Sequence, residues 1–148
     1  MRRFIDTEVI PLELEVLSRE AAGEIGLPRP RLRRLQATAR RQGLWGLATP
    51  EEYGGLGLGP VLLSVIHSEL GRTFVPFDFG GKADNILFSA TAEQKRDYLL
   101  PTIAGERVSC FAITEPGAGS DAAGVQTTAR RDGDSWLING EKKFRARA

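Results

Sequence analysis

The sequence predicts an α+β fold: a mostly α-helical amino-terminal domain followed by the first antiparallel strands of a β domain. Three observations predict it. Through the first two-thirds of the chain, apolar residues recur at helical spacing. Near Arg107 the period changes, and short apolar, β-branched runs alternate with Gly-rich turns. Two dipeptides in that second part, Asp132-Gly133 and Asn139-Gly140, carry the residue types that close β-hairpins. Helices followed by antiparallel strands imply two layers or two domains, and the division is placed between residues 1–107 and 108–148.

The elements follow in order. Ile5, Val9, Leu12 and Val16 fall at i, i+4, i+7 and i+11, one stripe of an amphipathic helix, with Pro11 predicting a kink or two short helices. A second helix opens at Pro30, a good first-turn residue, with Leu32, Leu35 and Ala39 inward. Its other face carries Arg31, Arg33, Arg34, Arg40 and Arg41, read as a solvated or intersubunit face rather than a ligand site. Gly43 closes that helix, and residues 44–59 form a long Gly-rich segment. A third helix runs from Pro60 to Gly71 with Leu62, Val65, Ile66 and Leu70 inward. After Pro76 a short helix is expected over residues 82–89. Thr91 with Gln94 spells a capping box for a helix through Tyr98 and Leu99, ended by Pro101 and Gly105. The helical core is expected to include Leu35, Trp45, Leu62, Ile66, Leu70 and Leu99, with Trp45 largely buried. Beyond Arg107, strands are predicted over residues 108–113, 125–130, 135–138 and 141–144, the middle two joined at Asp132-Gly133.

Composition narrows the class. The chain has 148 residues, 41% hydrophobic and 26% charged, with a formal net charge of +1. Such balance argues against nucleic acid or acidic lipid as a partner. No apolar stretch reaches the about 18–20 residues needed to span a bilayer. The start, Met1-Arg2-Arg3-Phe4-Ile5-Asp6, lacks the apolar segment of a secretory signal. Cys110 is the only cysteine, so no internal disulfide forms, and a reducing, cytoplasmic setting is expected. Its apolar neighbours predict a buried thiol. His67 is the only histidine and is assigned a structural role. Three or four short strands make a small sheet with edges to hide, so the chain is expected to be cut short.

The run Phe111-Ala112-Ile113-Thr114-Glu115-Pro116-Gly117-Ala118-Gly119-Ser120-Asp121 carries the functional signal. An apolar strand leads into a turn where Pro116 removes a donor and Gly117 and Gly119 widen the backbone's choices. Exposed N–H groups and the hydroxyls of Thr114 and Ser120 suit an acceptor-rich ligand, such as a flavin ring or a pyrophosphate.

That run resembles the flavin-binding signature of the acyl-CoA dehydrogenase family. Other pieces resemble the family in the same order: Gly43-Leu44-Trp45-Gly46 with Pro50-Glu51-Glu52-Tyr53-Gly54-Gly55, then Glu69-Leu70-Gly71-Arg72, Glu93-Gln94-Lys95, Leu100-Pro101 with Ala104-Gly105-Glu106, and Asp132-Gly133 to Asn139-Gly140-Glu141-Lys142. The resemblance implies a helical amino-terminal domain over residues 1–107 and the opening of the middle β domain over 108–148. It implies a homo-oligomer, tetramer or dimer, when complete. It also implies FAD as cofactor, an acyl-CoA substrate, an electron acceptor of flavoprotein type and a place in fatty acid metabolism. In the family's reaction a glutamate removes the α-proton of the thioester while the β-hydrogen leaves as hydride to flavin N5.

Carried over residue by residue, Phe111, Ala112, Ile113, Thr114, Glu115, Pro116, Gly117, Ala118, Gly119 and Ser120 would line the flavin. Thr114 would offer its hydroxyl and N–H to the ring, and Ser120 would be shared between FAD and the acyl-CoA. Glu115 is read as a turn residue, because the family's base lies in the carboxy-terminal domain, beyond Ala148. No catalytic residue and no metal site are assigned within the chain, and the chain alone is expected to be inactive. One departure stands out: where the family places a hydroxyl that bonds flavin N5, this sequence has Phe144-Arg145-Ala146. Two alternatives stay open, a non-catalytic interaction module derived from the fold, and a flavin monooxygenase or acyl-CoA oxidase built on it.

Overall fold

A computed structural model describes residues 1–143 and 146–147. The architecture is α+β, and the chain divides into two units, Met1–Arg107 and Val108–Ala148.

The helical unit opens with a single continuous run. It comprises α1 (Arg2–Phe4), a π-helical turn over Ile5–Val9, a 3-10 turn over Ile10–Leu12, and α2 (Glu13–Ala21). The expected break at Pro11 is absorbed rather than made. Proline cannot donate, and its ring crowds the carbonyl four residues back. The backbone therefore widens before it, with Ile10 N–H donating to Ile5 O, then tightens after it, with Glu13 N–H donating to Ile10 O. This adjustment keeps Phe4, Ile5, Val9, Leu12 and Val16 all buried. The same device recurs where α6 (Ala92–Gln94) passes through a π-helical turn at Lys95–Leu99 into α7 (Leu100–Ala104). Pro101 therefore lies inside the helix instead of ending it, and Gly105, at φ 81°, is the terminator.

Between these runs lie α3 (Arg29–Arg41), α4 (Pro60–Leu70) and α5 (Asn85–Phe88). α3 presents Leu35 and Ala39 to the core, with Leu32 packed at its edge. In α4 only Ile66 and Leu70 pack against the core, while Leu62 is 54% exposed and Val65 57%. The expectation for Leu62 and Val65 is thus corrected. The helix is apolar on more than one side, so spacing alone does not select the inward stripe. α5 is also shorter than the expected span over residues 82–89. The capping box forms as spelled, Gln94 N–H donating to Thr91 Oγ1 at 3.3 Å and Thr91 N–H to Gln94 Oε1 at 3.1 Å.

Much of the core comes from a segment without regular structure. Val75, Phe77 and Phe79 are buried while Phe74, Pro76 and Asp78 are exposed, the alternation of an extended chain. The rings of Phe77 and Phe79 meet edge to face at 5.0 Å, and Phe4 sits 5.8 and 5.7 Å from them. Trp45 is half-buried rather than enclosed. Its Nε1–H donates to Ile103 O at 3.0 Å, and a Cβ at Gly80 or Gly81 would run into the indole.

In the second unit, β1 (Cys110–Phe111) pairs antiparallel with β4 (Ala146–Arg147), and β2 (Thr128–Asp132) pairs antiparallel with β3 (Ser135–Asn139). The strand expected over residues 108–113 shrinks to two residues. The strand expected over 125–130 begins three residues later, and Gly133-Asp134 makes the turn between Asp132 and Ser135. Residues 141–143 are not in a strand, and Phe144 lies outside the described residues. Cys110 is exposed, as is Phe111 at 59%, contrary to the expected buried thiol. A ladder of two residue pairs leaves both faces of each strand open, so apolar content there does not translate into burial.

Candidate functional site

The run after β1 folds back on itself. Glu115 N–H donates to Ala118 O at 2.9 Å and Ala118 N–H to Glu115 O at 3.2 Å, with Pro116 and Gly117 at the tip. Ala118 is buried beneath this turn. Proline at the first tip position supplies the fixed φ that such a turn uses.

The Glu115 side chain turns inward, 7% exposed. Its carboxylate accepts from Lys142 Nζ at 2.7 Å, from Gln126 N–H at 2.6 Å and from Thr127 N–H at 3.0 Å. Lys142 also donates to Ile113 O at 3.1 Å, and Lys143 N–H donates to Thr114 O at 2.8 Å. One carboxylate thus ties three separate stretches of chain together. The Lys142 ammonium, followed by the converging N–H groups, pulls the Glu115 carboxyl from 4.5 to about 2. An acid held ionised and fully hydrogen-bonded is a poor general base. Its role is structural, and larger than that of a turn residue. No local pattern links positions 115 and 142, so the sequence carried no signal for this pair.

The remaining loop residues face outward. Asp121 caps the short 3-10 turn at Ala122–Gly124, its Oδ1 accepting from Ala123 N–H at 3.2 Å. Ser120 is exposed, and Thr114 is half-buried. Among the described residues, the N–H groups of Gly117, Gly119 and Ser120 and the hydroxyls of Thr114 and Ser120 make no hydrogen bond. Neither Gly117 nor Gly119 takes a positive φ, and a Cβ added to either meets nothing within 4 Å. Among the described residues nothing requires glycine at these two positions. By contrast, a Cβ at Gly140 would collide with Thr127, whose buried Oγ1 has no partner among the described residues.

A cleft of about 430 Å³ opens beside the turn, bounded by Pro116, Gly117, Gln126, Thr128, Asn139 and Gly140. The structure therefore gathers Thr114, Glu115, Pro116 and Gly117 around one turn, with Gly119 and Ser120 following in the open. Phe111 lies in β1, and Phe144 and Arg145 of the departing segment lie outside the described residues. Among the described residues no group of three or more His, Cys, Asp or Glu side chains could hold a metal ion. Among the described residues no helix is long and apolar enough to cross a membrane.

Comparison with known proteins places these features in a family. The profile of the acyl-CoA dehydrogenase N-terminal domain matches residues 1–106, and that of the acyl-CoA dehydrogenase middle domain matches residues 110–148. The chain is 34% identical to (R)-benzylsuccinyl-CoA dehydrogenase of Thauera aromatica, over 97% of this chain and 38% of that protein. It is 32% identical to the mitochondrial short-chain specific acyl-CoA dehydrogenase of Mus musculus, over 97% of this chain and 34% of that one. Among solved structures, the acyl-CoA dehydrogenase of Bacillus anthracis complexed with FAD is similar at a TM-score of 0.63 and 32% identity, over 97% of this chain and 25% of that chain. The chain thus spans well under half the length of these relatives.

Proposed function

The chain belongs to the acyl-CoA dehydrogenase family, and from that premise we propose that it supplies the flavin-facing loop of an FAD-dependent dehydrogenase that oxidises the Cα–Cβ bond of an acyl-CoA thioester. The observation that carries the reading is the pair Gly117 and Gly119. Among the described residues both face open space and neither has a reason to be glycine, as expected where a ligand must approach the backbone closely. The free N–H groups of Gly117, Gly119 and Ser120, with the Thr114 and Ser120 hydroxyls, match the acceptor-rich edge of FAD. FAD supplies the two-electron acceptor for such an oxidation.

The chain's own residues bind and orient. Thr114, Gly119 and Ser120 donate hydrogen bonds to the cofactor, and Ser120 also meets the acyl-CoA. Glu115, held by Lys142, fixes the turn that presents them, and as a paired carboxylate it does not remove the α-proton. No other residue of the chain takes that role, so the chain by itself is inactive toward acyl-CoA. The setting is cytoplasmic fatty acid metabolism, with a homo-oligomeric assembly and an electron acceptor of flavoprotein type.

The test is an amide NMR titration of the chain with FAD. Shifts concentrated at Thr114, Gly117, Gly119 and Ser120 are expected even if binding is weak. Shifts spread over the helical unit, or none at millimolar FAD, would reject the loop's role.

A further inference from the structure

α3 breaks the rules by which an exposed helix is stabilised. Its sequence, RPRLRRLQATARR, carries six arginines and no carboxylate. Cations in the first turn oppose the helix dipole. Arg29 with Arg33, and Arg31 with Arg34, set like charges at i,i+4 and i,i+3. Compensation is slight: among the described residues only Arg31 has an ion-pair partner, Glu15 at 3.7 Å. The helical unit as a whole is not basic, since residues 1–107 hold as many acidic as basic side chains. The charge has been segregated onto one helix. Such local conflict without internal compensation marks a functional surface.

At 100° per residue, Arg29, Arg33, Gln36 and Arg40 fall within a stripe about 60° wide, beside the buried face of Leu35 and Ala39. Arg33, Gln36 and Arg40 of this stripe line a groove of about 420 Å³ that also takes in Ala37, Trp45 and Glu106, and Arg29 continues the stripe one turn further toward the helix start. At its far end the Arg40 guanidinium lies 5.0 Å from the centre of the Trp45 ring and donates to Ala104 O at 3.4 Å. The indole is itself fixed through Ile103 O. Gln36 is held by Asp78 O at 3.1 Å. These side chains are positioned in advance, which lowers the entropic cost of binding.

We propose that this groove, with Arg29 on the stripe beyond it, docks an extended acidic segment of a partner protein, its carboxylates on Arg29, Arg33 and Arg40 and an apolar side chain against Trp45. Arg29 to Arg40 spans about 16 Å of helix, which about five residues of extended chain cover. Glu106 decides between kinds of anion. Its carboxylate repels any anion laid against it, but a peptide offers backbone N–H groups that it can accept from, and a polyphosphate offers none. The balanced charge of the unit likewise gives no long-range pull on nucleic acid.

The test uses the 148-residue chain and a labelled, blocked hexaglutamate peptide, followed by fluorescence anisotropy at low ionic strength. Saturable binding is expected, weakened at least about tenfold by Arg33→Glu and again by Arg29→Glu, both exposed positions whose change leaves the helical circular dichroism intact. Arg130→Glu, on the hairpin of the other unit, should leave the affinity unchanged. Absence of saturable binding would overturn the proposal, as would equal loss with Arg130→Glu. Displacement of the peptide by inorganic tripolyphosphate at lower concentration than free hexaglutamate would also overturn it, since the groove would then be a polyanion site rather than a peptide site.

Discussion

Lys142 Nζ lies 2.7 Å from Glu115 Oε1, and this one contact joins the turn after β1 to the segment that follows the β2–β3 hairpin. The carboxylate would be costly to bury alone, and the ammonium with two backbone N–H groups completes its shell. Removing one partner should therefore harm the unit more than removing both. Lys142→Met is expected to lower the unfolding midpoint of the second unit further than the double variant Glu115→Gln with Lys142→Met. Hydrogen exchange at Gln126 and Thr127 reads the outcome, and exchange rates in the double variant faster than in Lys142→Met would contradict it.

Acid should act on both units over one window. Glu69 accepts from Arg2 and Arg72, which hold its carboxyl at about 2, as Lys142 chiefly does for Glu115. The ordinary value is 4.5, so between about 4.5 and 2 each group binds fewer protons folded than unfolded. The stabilisation is complete above that window and is lost as pH falls through it. Glu69→Gln should flatten the acid limb of helical unfolding followed by circular dichroism, and an unchanged limb would remove Glu69 from the account.

Burial separates two leucines that the sequence treats alike. Leu99 is 0% exposed and Leu62 is 54% exposed. Leu99→Ala should cost about 2–5 kcal/mol through lost contact and a residual cavity, whereas Leu62→Ala should stay within about 0.5 kcal/mol. Chemical denaturation of the two variants checks the contrast, and comparable losses would mean that α4 faces a partner the structure does not contain.

What was legible in the sequence was local. The Thr91–Gln94 box, the start of α3 beside Pro30 and the stop at Gly105 depend on residues within a turn of one another, and each formed. Proline misled where the helix had a second way to accommodate it, because a π-helical turn before Pro11 and before Pro101 leaves no signature in hydrophobic spacing. Val75, Phe77 and Phe79 alternate as a strand would, yet they pair with no strand and enter the core on packing alone. The signature string stood out as a string. Its internal support did not, since Glu115 and Lys142 lie 27 residues apart and are brought together only by the fold. Strand limits in the second unit slipped because the turn at Gly133-Asp134 sets the register, not the apolar run.

Gly119 separates folding from ligand binding. A methyl group there meets nothing within 4 Å, and the backbone does not take a positive φ. Gly119→Ala should therefore leave the chain's stability unchanged or raise it by about 0.4–1 kcal/mol, because the unfolded chain loses freedom. On the function proposed above, the same methyl would occupy the space through which the flavin approaches the backbone. The variant should then lose the amide shifts that FAD induces at Thr114 and Ser120 while its own spectrum stays folded. Gly140→Ala provides the opposite case, since its Cβ collides with Thr127 and the fold itself should suffer. Should Gly119→Ala keep the full response to FAD, the open space before that glycine is not where the cofactor lies.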